Sequence, residues 1–284
     1  MNNINFTLPN AKMITLMRTY LNTIVPIFIL VVFSCFFSQS ANAQDVKLGL
    51  SLTPNVSWMK STDYDHVSMG SKLNFGFEFM ADIMMNENYA FSTGVHIFQT
   101  GGRINYLVPN PTASQFLMTT DRDYSLKYVE VPLTFKMRTK EIGYSTIYGR
   151  FGLGLGLNIR ANAKEARNNS WLQTNEPLPE TDAVWAALGS GVETPSFDDI
   201  EVQNDIRLFR SSMIVGGGVE RSLGGTSSLV IGVNYNVSFI NTYKDLEQVK
   251  VDGDGIPVTQ DGVLSMGPIK GNDNAIELVL GLIF

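Results

Sequence analysis

The chain has 284 residues, 44% of them hydrophobic, with 27 acidic against 21 basic side chains and a formal net charge of −6. That acidity excludes a nucleic-acid partner, which needs a basic surface. Cys35 is the single cysteine, which excludes an internal disulfide and leaves the fold to be held by other means.

Residues 1–43 read as a signal peptide. Lys12 and Arg18 form the basic region, an apolar stretch runs from about Leu21 to Phe37, and Ala41-Asn42-Ala43 precedes Gln44 as a small-residue cleavage site. A transmembrane helix is the rival reading, but the stretch is short for a span and carries Pro26. A lipid-attachment site at Cys35 is disfavoured by Phe33. The leader holds two cations and no acid, so the mature part, 44–284, carries −8. No Pro/Ser/Gly linker divides it, and it is read as one domain.

Eight strands follow at a period of two. Val46, Leu48, Leu50 and Leu52 share one face of the first. In the second, Leu73, Phe75, Phe77, Phe79, Ala81 and Ile83 oppose Asn74, Gly76, Glu78, Met80 and Asp82. The third sets Phe91, Val95 and Ile97 against Ser92, Gly94 and His96. The fourth sets Val129, Val131, Leu133, Phe135 and Met137 against Glu130, Thr134 and Lys136, with Pro132 a mild misfit on the polar face. The fifth alternates Ile147, Phe151, Leu153, Leu155, Leu157 and Ile159 with Arg150, Asn158, Arg160 and three glycines. The sixth, near Ile206 to Glu220, slips phase at Arg210-Ser211-Ser212, where a bulge is expected. The seventh carries Leu229, Ile231, Val233, Tyr235, Val237 and Phe239, and the eighth Ile276, Leu278, Leu280, Leu282 and the terminal Phe284.

Alternation alone fits a soluble sandwich as well as a membrane barrel. The connections decide between them. Those at 84–88, 138–143 and 222–226 are short, and those around 59–71, 100–124, 163–204 and 241–273 are long. Strict alternation of short and long is expected of tight periplasmic turns on one rim and extracellular loops on the other. Ten residues at about 3.3 Å, tilted near 45°, match the apolar band of an outer membrane. Trp58, Tyr124, Tyr243 and Tyr89 lie near strand ends, where interfacial aromatic girdles belong. The expected fold is an all-β, eight-stranded antiparallel transmembrane β-barrel, exported to the outer membrane of a Gram-negative-type envelope and bathed in its lipid.

A bore of eight strands is filled by side chains. Glu78, Asp82, Glu130, Lys136, Arg150, Arg160, Glu220 and Glu277, with Lys47 and His96, are expected to form a lumen charge network, read as structural in preference to a proton or ion path. Catalysis by hydrolysis needs an activated nucleophile. His66 and His96 are the only histidines, the first read as lying in a long loop beside Asp63 and Asp65 and the second as facing inward, and no catalytic residue is assigned. Asp252-Gly253-Asp254-Gly255 lacks the spacing and closing Glu of a calcium loop, and neither metal nor cofactor is expected. The acidic segment 164–204, with a short helix expected over 181–188, carries Trp171, Trp185 and Phe197 as candidate partner contacts.

Leu126-Lys127-Tyr128-Val129-Glu130-Val131-Pro132-Leu133-Thr134-Phe135-Lys136 resembles the PorT-like outer-membrane β-barrel family. So do Tyr89-Ala90-Phe91-Ser92-Thr93-Gly94 followed by Gly101-Gly102, Gly216-Gly217-Gly218-Val219-Glu220 before Leu223-Gly224-Gly225, and Pro54-Asn55. The resemblance runs from about Val46 to Phe284. It implies a non-enzymatic barrel that takes part in type IX protein secretion, as a component or assembly factor contacting other secretion-system proteins. It brings no catalytic residues. The terminal strand ending on Phe284 is the expected handle for the barrel-assembly machinery. A surface adhesion or structural barrel is the alternative, and a lipid-modifying outer-membrane enzyme the third reading.

Overall fold

A computed structural model describes residues 45–62, 65–109, 116–171, 196–244, 246–252, 256–260 and 263–284. The expected signal peptide, the expected helix over 181–188, Trp185 and Gly253–Gly255 lie outside the described residues.

The strands run in chain order β1 (Val46–Leu52), β2 (Asn55–Ser61), β3 (His66–Ser68), β4 (Ser71–Asn74), β5 (Gly76–Met84), β6 (Tyr89–Pro109), β7 (Phe116–Arg138) and β8 (Ser145–Trp171). They continue with β9 (Ser196–Glu201), β10 (Phe209–Gly224), β11 (Ser227–Ser238), β12 (Glu247–Val249), β13 (Thr259–Gln260), β14 (Val263–Leu264), β15 (Met266–Pro268) and β16 (Gly271–Ile283). Eight of these, β1, β5, β6, β7, β8, β10, β11 and β16, pair in sequence, and β16 returns to β1 from Gly49↔Ile283 to Leu52↔Leu280. Every pairing is antiparallel. Closure leaves the wall without an edge, as hydrocarbon demands of backbone amides. β2 and β4 carry β1 and β5 onward past breaks at Thr53-Pro54 and Phe75, so the two form the first two of eight walls. At the first break Pro54 has no amide hydrogen to donate, but its carbonyl still accepts from Leu278 N at 2.9 Å.

Leu50, Leu73, Phe77, Phe151, Val233 and Leu282 and their period-two neighbours point outward and are exposed. Toward the extracellular side those rows end on β6, β7 and β8 at the amide Gln99 and the cations Lys127 and Arg160, which are cross-strand partners. That polar row marks the outer edge of the lipid band.

Above it the three strands continue. β8 alone has 27 residues, about 90 Å of chain at ~3.3 Å per residue, against an apolar band of ~25 Å. The expected loop at 100–124 is therefore corrected: it is mostly sheet, with β6 and β7 paired out to Pro109↔Leu117. Outside the lipid the outward side chains turn polar, so the lipid-type alternation vanishes while the ladder persists.

The inward faces of this extension carry a second, soluble-type core. Met59, Tyr106, Tyr124 and Leu126 meet Ile206 and Tyr243, brought in by the chain before β10 and after β11. The participants span the ring from β2 to β8 and so fill it. Tyr124 and Tyr243 are wholly buried there, their ring centroids 5.5 Å apart. They do not belong to an aromatic girdle, contrary to the sequence reading. The outer girdle has Trp58 stacked on Tyr235 at 6.3 Å, and the inner one has Tyr89 on Phe135 at 5.6 Å.

The short turns stand where expected, at 85–88, 139–144 and 225–226. The bulge does not. β10 pairs without a shift with β8 from Phe209 to Arg221 and with β11 from Ser212 to Ser222. Ile214 is an apolar residue that faces inward, and that alone made the phase look broken. The irregularity lies instead between Lys127 and Tyr128, opposite Arg160 and Asn158. Pro132 is accommodated by a gap in the β6–β7 ladder between Thr93↔Leu133 and His96↔Glu130.

Candidate functional site

Of the predicted lumen residues, Glu78, Asp82, Glu130, Lys136, Arg150, Glu220 and Glu277 are buried inside the ring, and Lys47 is half-buried near its inner mouth. Arg160 is corrected: it is exposed on the outer face, its Nε donating to Asn162 Oδ1 at 3.3 Å. The extra residue that β8 takes up opposite Lys127 and Tyr128 reverses the facing of all that follows. Arg138, Arg210 and Asp273 were missed. Asp273 follows the same inward row as Ala275 and Glu277 and was legible at period two; Arg210 was hidden by the supposed bulge.

Two ionic clusters fill the bore. Near the inner mouth, Lys136 Nζ lies 2.5 Å from both Asp82 Oδ2 and Glu220 Oε1, and Arg138 reaches Glu220 at 2.6 Å. Ser92 donates to Asp82 at 2.5 Å, and the Tyr148 ring lies under the Lys136 ammonium at 4.7 Å.

Higher up, Arg210 is a hub. It reaches Glu130 Oε2 at 2.6 Å, Asp273 Oδ2 at 2.9 Å and Asn236 Oδ1 at 3.0 Å, while its guanidinium lies over Phe98 and Tyr128. Beside it Arg150 pairs with Glu78 at 3.1 Å and donates to Asn234 at 2.9 Å. Removing charges from water costs several kcal/mol each, and only such direct pairing offsets it.

Thr53 Oγ1 sits 2.9 Å from His96 Nε2, and His96 Nδ1 faces Glu130 at 3.9 Å. Hydroxyl, imidazole and carboxylate stand in the order an acyl-transfer triad uses. Space around them is closed: a Cβ at Gly76 would fall 2.5 Å from Thr53 Oγ1 and 2.7 Å from Phe98 Cβ. Phe98 stacks on the imidazole at 4.6 Å, so the arrangement holds three walls together and leaves no room for an acyl group. His66 is likewise buried, its ring edge-on to Tyr243 at 6.3 Å. Among the described residues no three His, Cys, Asp or Glu side chains converge to hold a metal.

In the extracellular sheet, Arg122 is clamped by Glu165, by Asp205 at 2.9 Å and by Tyr124 at 3.3 Å. Burial pushes the Tyr124 phenol up to about 12, against the opposing pull of Arg122. Tyr106, also buried and beside Tyr124, is raised as well. Phe197 on β9 is exposed, with the Arg167 guanidinium over its ring at 5.7 Å. Trp171 ends β8. It pairs with Phe116 of β7, while β9, which carries Asp198, Asp199 and Glu201, pairs with β8 nearer the rim, from Asn162 to Ala166.

A closed antiparallel ring with a lipid-facing apolar band, a filled polar bore and a sheet projecting beyond one rim defines an outer-membrane β-barrel. Residues 37–244 match the model of the family described as outer membrane protein beta-barrel domain, and the chain belongs to that family. No curated protein matches it. Among solved structures it is similar to Ail, the attachment invasion locus protein of Yersinia pestis, at 14% identity, covering 84% of this chain and 99% of that one with a TM-score of 0.35. It is also similar to Neisserial surface protein A, at 12% identity over 83% and 95% with a TM-score of 0.35. OprG of Pseudomonas aeruginosa matches at 10% identity over 85% and 95% with a TM-score of 0.35.

Proposed function

We propose that this outer-membrane barrel is non-catalytic and works through protein contacts made by its extracellular sheet, as a component or assembly factor of type IX secretion. The observation that carries the reading is the filled interior. With ionic clusters across the bore and Tyr124 and Tyr243 packed above them, side chains of the described residues occupy the bore, and the surface standing outside the lipid is what the chain offers to other molecules. Phe197, exposed beside Asp198 and Asp199, is the described part of that surface; an aromatic anchor with a charged rim suits a protein interface. Trp171 and Trp185 extend the same proposal along 164–204. The PorT-like resemblance at Leu126–Lys136 supports the choice of secretion. The leader over 1–43 would be removed on export, and Phe284, outward on the last wall, would present the terminal strand to the barrel-assembly machinery.

Surface adhesion is the second reading, favoured by the same projecting sheet. Deleting the gene and assaying secreted cargo separates the two, with Phe197→Asp as the point variant. Loss of cargo secretion supports the first reading. Normal secretion with weakened surface attachment transfers the function to adhesion. A photo-crosslinker at residue 197 in living cells should capture an envelope or secretion protein.

A further inference from the structure

Lys127 on β7 and Arg160 on β8 are cross-strand partners on the outer face, and Gln99 on β6 completes their row. Gln99 and Arg160 are exposed and Lys127 is half-buried. Like charges directly opposite each other on one face of a sheet destabilise the pairing. Cations farther out are compensated, Lys72 by Asp123 at 3.0 Å and Lys164 by Asp198 at 3.4 Å. Lys127 and Arg160 are not: among the described residues no carboxylate lies within ion-pair distance of either.

The ladder departs from regularity to bring these two together. Tyr128 faces Asn158, so an unbroken register would set Ile159 opposite Lys127; the shift passes over Ile159 and presents Arg160 instead. A bulge interrupts pairing and re-aims a side chain, and here it re-aims a guanidinium to stand beside an ammonium. Arg160 Nε donates to Asn162 Oδ1 at 3.3 Å, and Asn162 Nδ2 donates to Asp199. Both Nη groups of Arg160 and the Lys127 Nζ are left without a partner among the described residues.

Depth fixes what can reach them. Gln99 follows Tyr89 of the inner girdle by ten residues on β6, a rise of about 23 Å at ~3.3 Å per residue and a tilt near 45°, which is the height of the apolar band. Ile97, Val129 and Leu157 form the next outward row beneath, on the same three strands. The site thus has cations at the boundary with water and a hydrocarbon bed below them. A phosphate suits the upper part, since the guanidinium fork takes two oxygens and the ammonium adds a point charge. The carboxylates of Asp123, Asp199 and Glu201 all stand on the water side of the row. A soluble anion arriving from above meets negative charge first, whereas a headgroup sliding in along the membrane meets the cations.

We propose that Gln99, Lys127 and Arg160 form a binding site for an anionic phospholipid of the outer leaflet, its phosphate held between the two cations and an acyl chain lying on Ile97, Val129 and Leu157.

The test is native mass spectrometry of the full chain, folded in micelles that carry phosphatidic acid and phosphatidylcholine in equal amounts. The natural protein is expected to retain phosphatidic acid in preference to phosphatidylcholine. Lys127→Gln combined with Arg160→Gln should lower that retention about tenfold or more, the scale of one lost charge-assisted hydrogen bond. Lys60→Gln combined with Arg103→Gln removes two other exposed cations and should leave it unchanged. Should the first double variant not fold, Arg160→Gln alone is read in its place. Equal retention of the two lipids by the natural protein overturns the proposal whatever the variants do, and so does undiminished retention by the Lys127 and Arg160 variants. An equal loss in the Lys60 and Arg103 variant overturns it in favour of diffuse charge. Displacement of phosphatidic acid by an equal concentration of glycerol phosphate overturns it in favour of a soluble phosphate.

Discussion

Arg210 is the side chain on which the upper bore depends most. Its guanidinium serves Glu130 at 2.6 Å and Asp273 at 2.9 Å, and both carboxylates are wholly buried. Replacing it by methionine keeps most of the stem volume and strands two negative charges. Breaking one buried pair costs about 3–5 kcal/mol because the surviving charge has no solvent to return to. Two stranded carboxylates, Glu130 still bonded by Ser212 at 3.0 Å and Asp273 by Thr100 at 3.3 Å and Thr242 at 3.4 Å, put the loss at about 4 kcal/mol, a large share of the ~5–15 kcal/mol that holds a domain together. Adding Glu130→Gln and Asp273→Asn removes the stranded charges and should recover about half of the loss. Lys164, whose pair with Asp198 is exposed on both sides, is the control, and Lys164→Ala should stay within ~0.5 kcal/mol. Equilibrium urea unfolding from lipid vesicles, followed by tryptophan fluorescence, measures all of these. The reasoning fails if Arg210→Met costs less than ~1 kcal/mol, or if the triple variant is less stable than the single one.

Gly76→Ala should destabilise the barrel by about 1–3 kcal/mol, since its Cβ would press within 2.5 Å of Thr53 Oγ1. Thr53→Ala in the same chain should return part of that loss in the same unfolding assay. Tyr124, pushed up to about 12 by burial, gives a pH signature. Unfolded tyrosine ionises near ~10, so its stabilising contribution is whole below that pH and is lost as pH rises to about 12. Tyr124→Phe should flatten this part of the unfolding profile, and an unchanged alkaline decline would show that the phenol is not what titrates.

The wall was readable from sequence because lipid imposes one rule on every outward residue. Phe77, Leu153 and Leu280 obey it whatever their partners are, and so strand phase, turn positions and strand number came out of local alternation alone. Two kinds of feature escaped. Arg160 and Arg210 were placed wrongly for opposite reasons: a register shift against β7 turns the first outward, while an inward Ile214 mimicked a shift that β10 does not have. Facing after a bulge is a property of the strand pair, and one strand's sequence carries only half of it. The extension above the membrane escaped because its solvent differs. There Asp121, Asp123 and Lys127 face water while Tyr124 and Leu126 face a packed core, a pattern that period-two reading with an apolar outside takes for a loop. Inside the bore the rule inverts again, since polar residues are admitted only with partners. Composition shows that both signs are present, but which carboxylate meets which cation depends on the closure of β16 on β1 and β2, residues more than 200 positions apart in the chain.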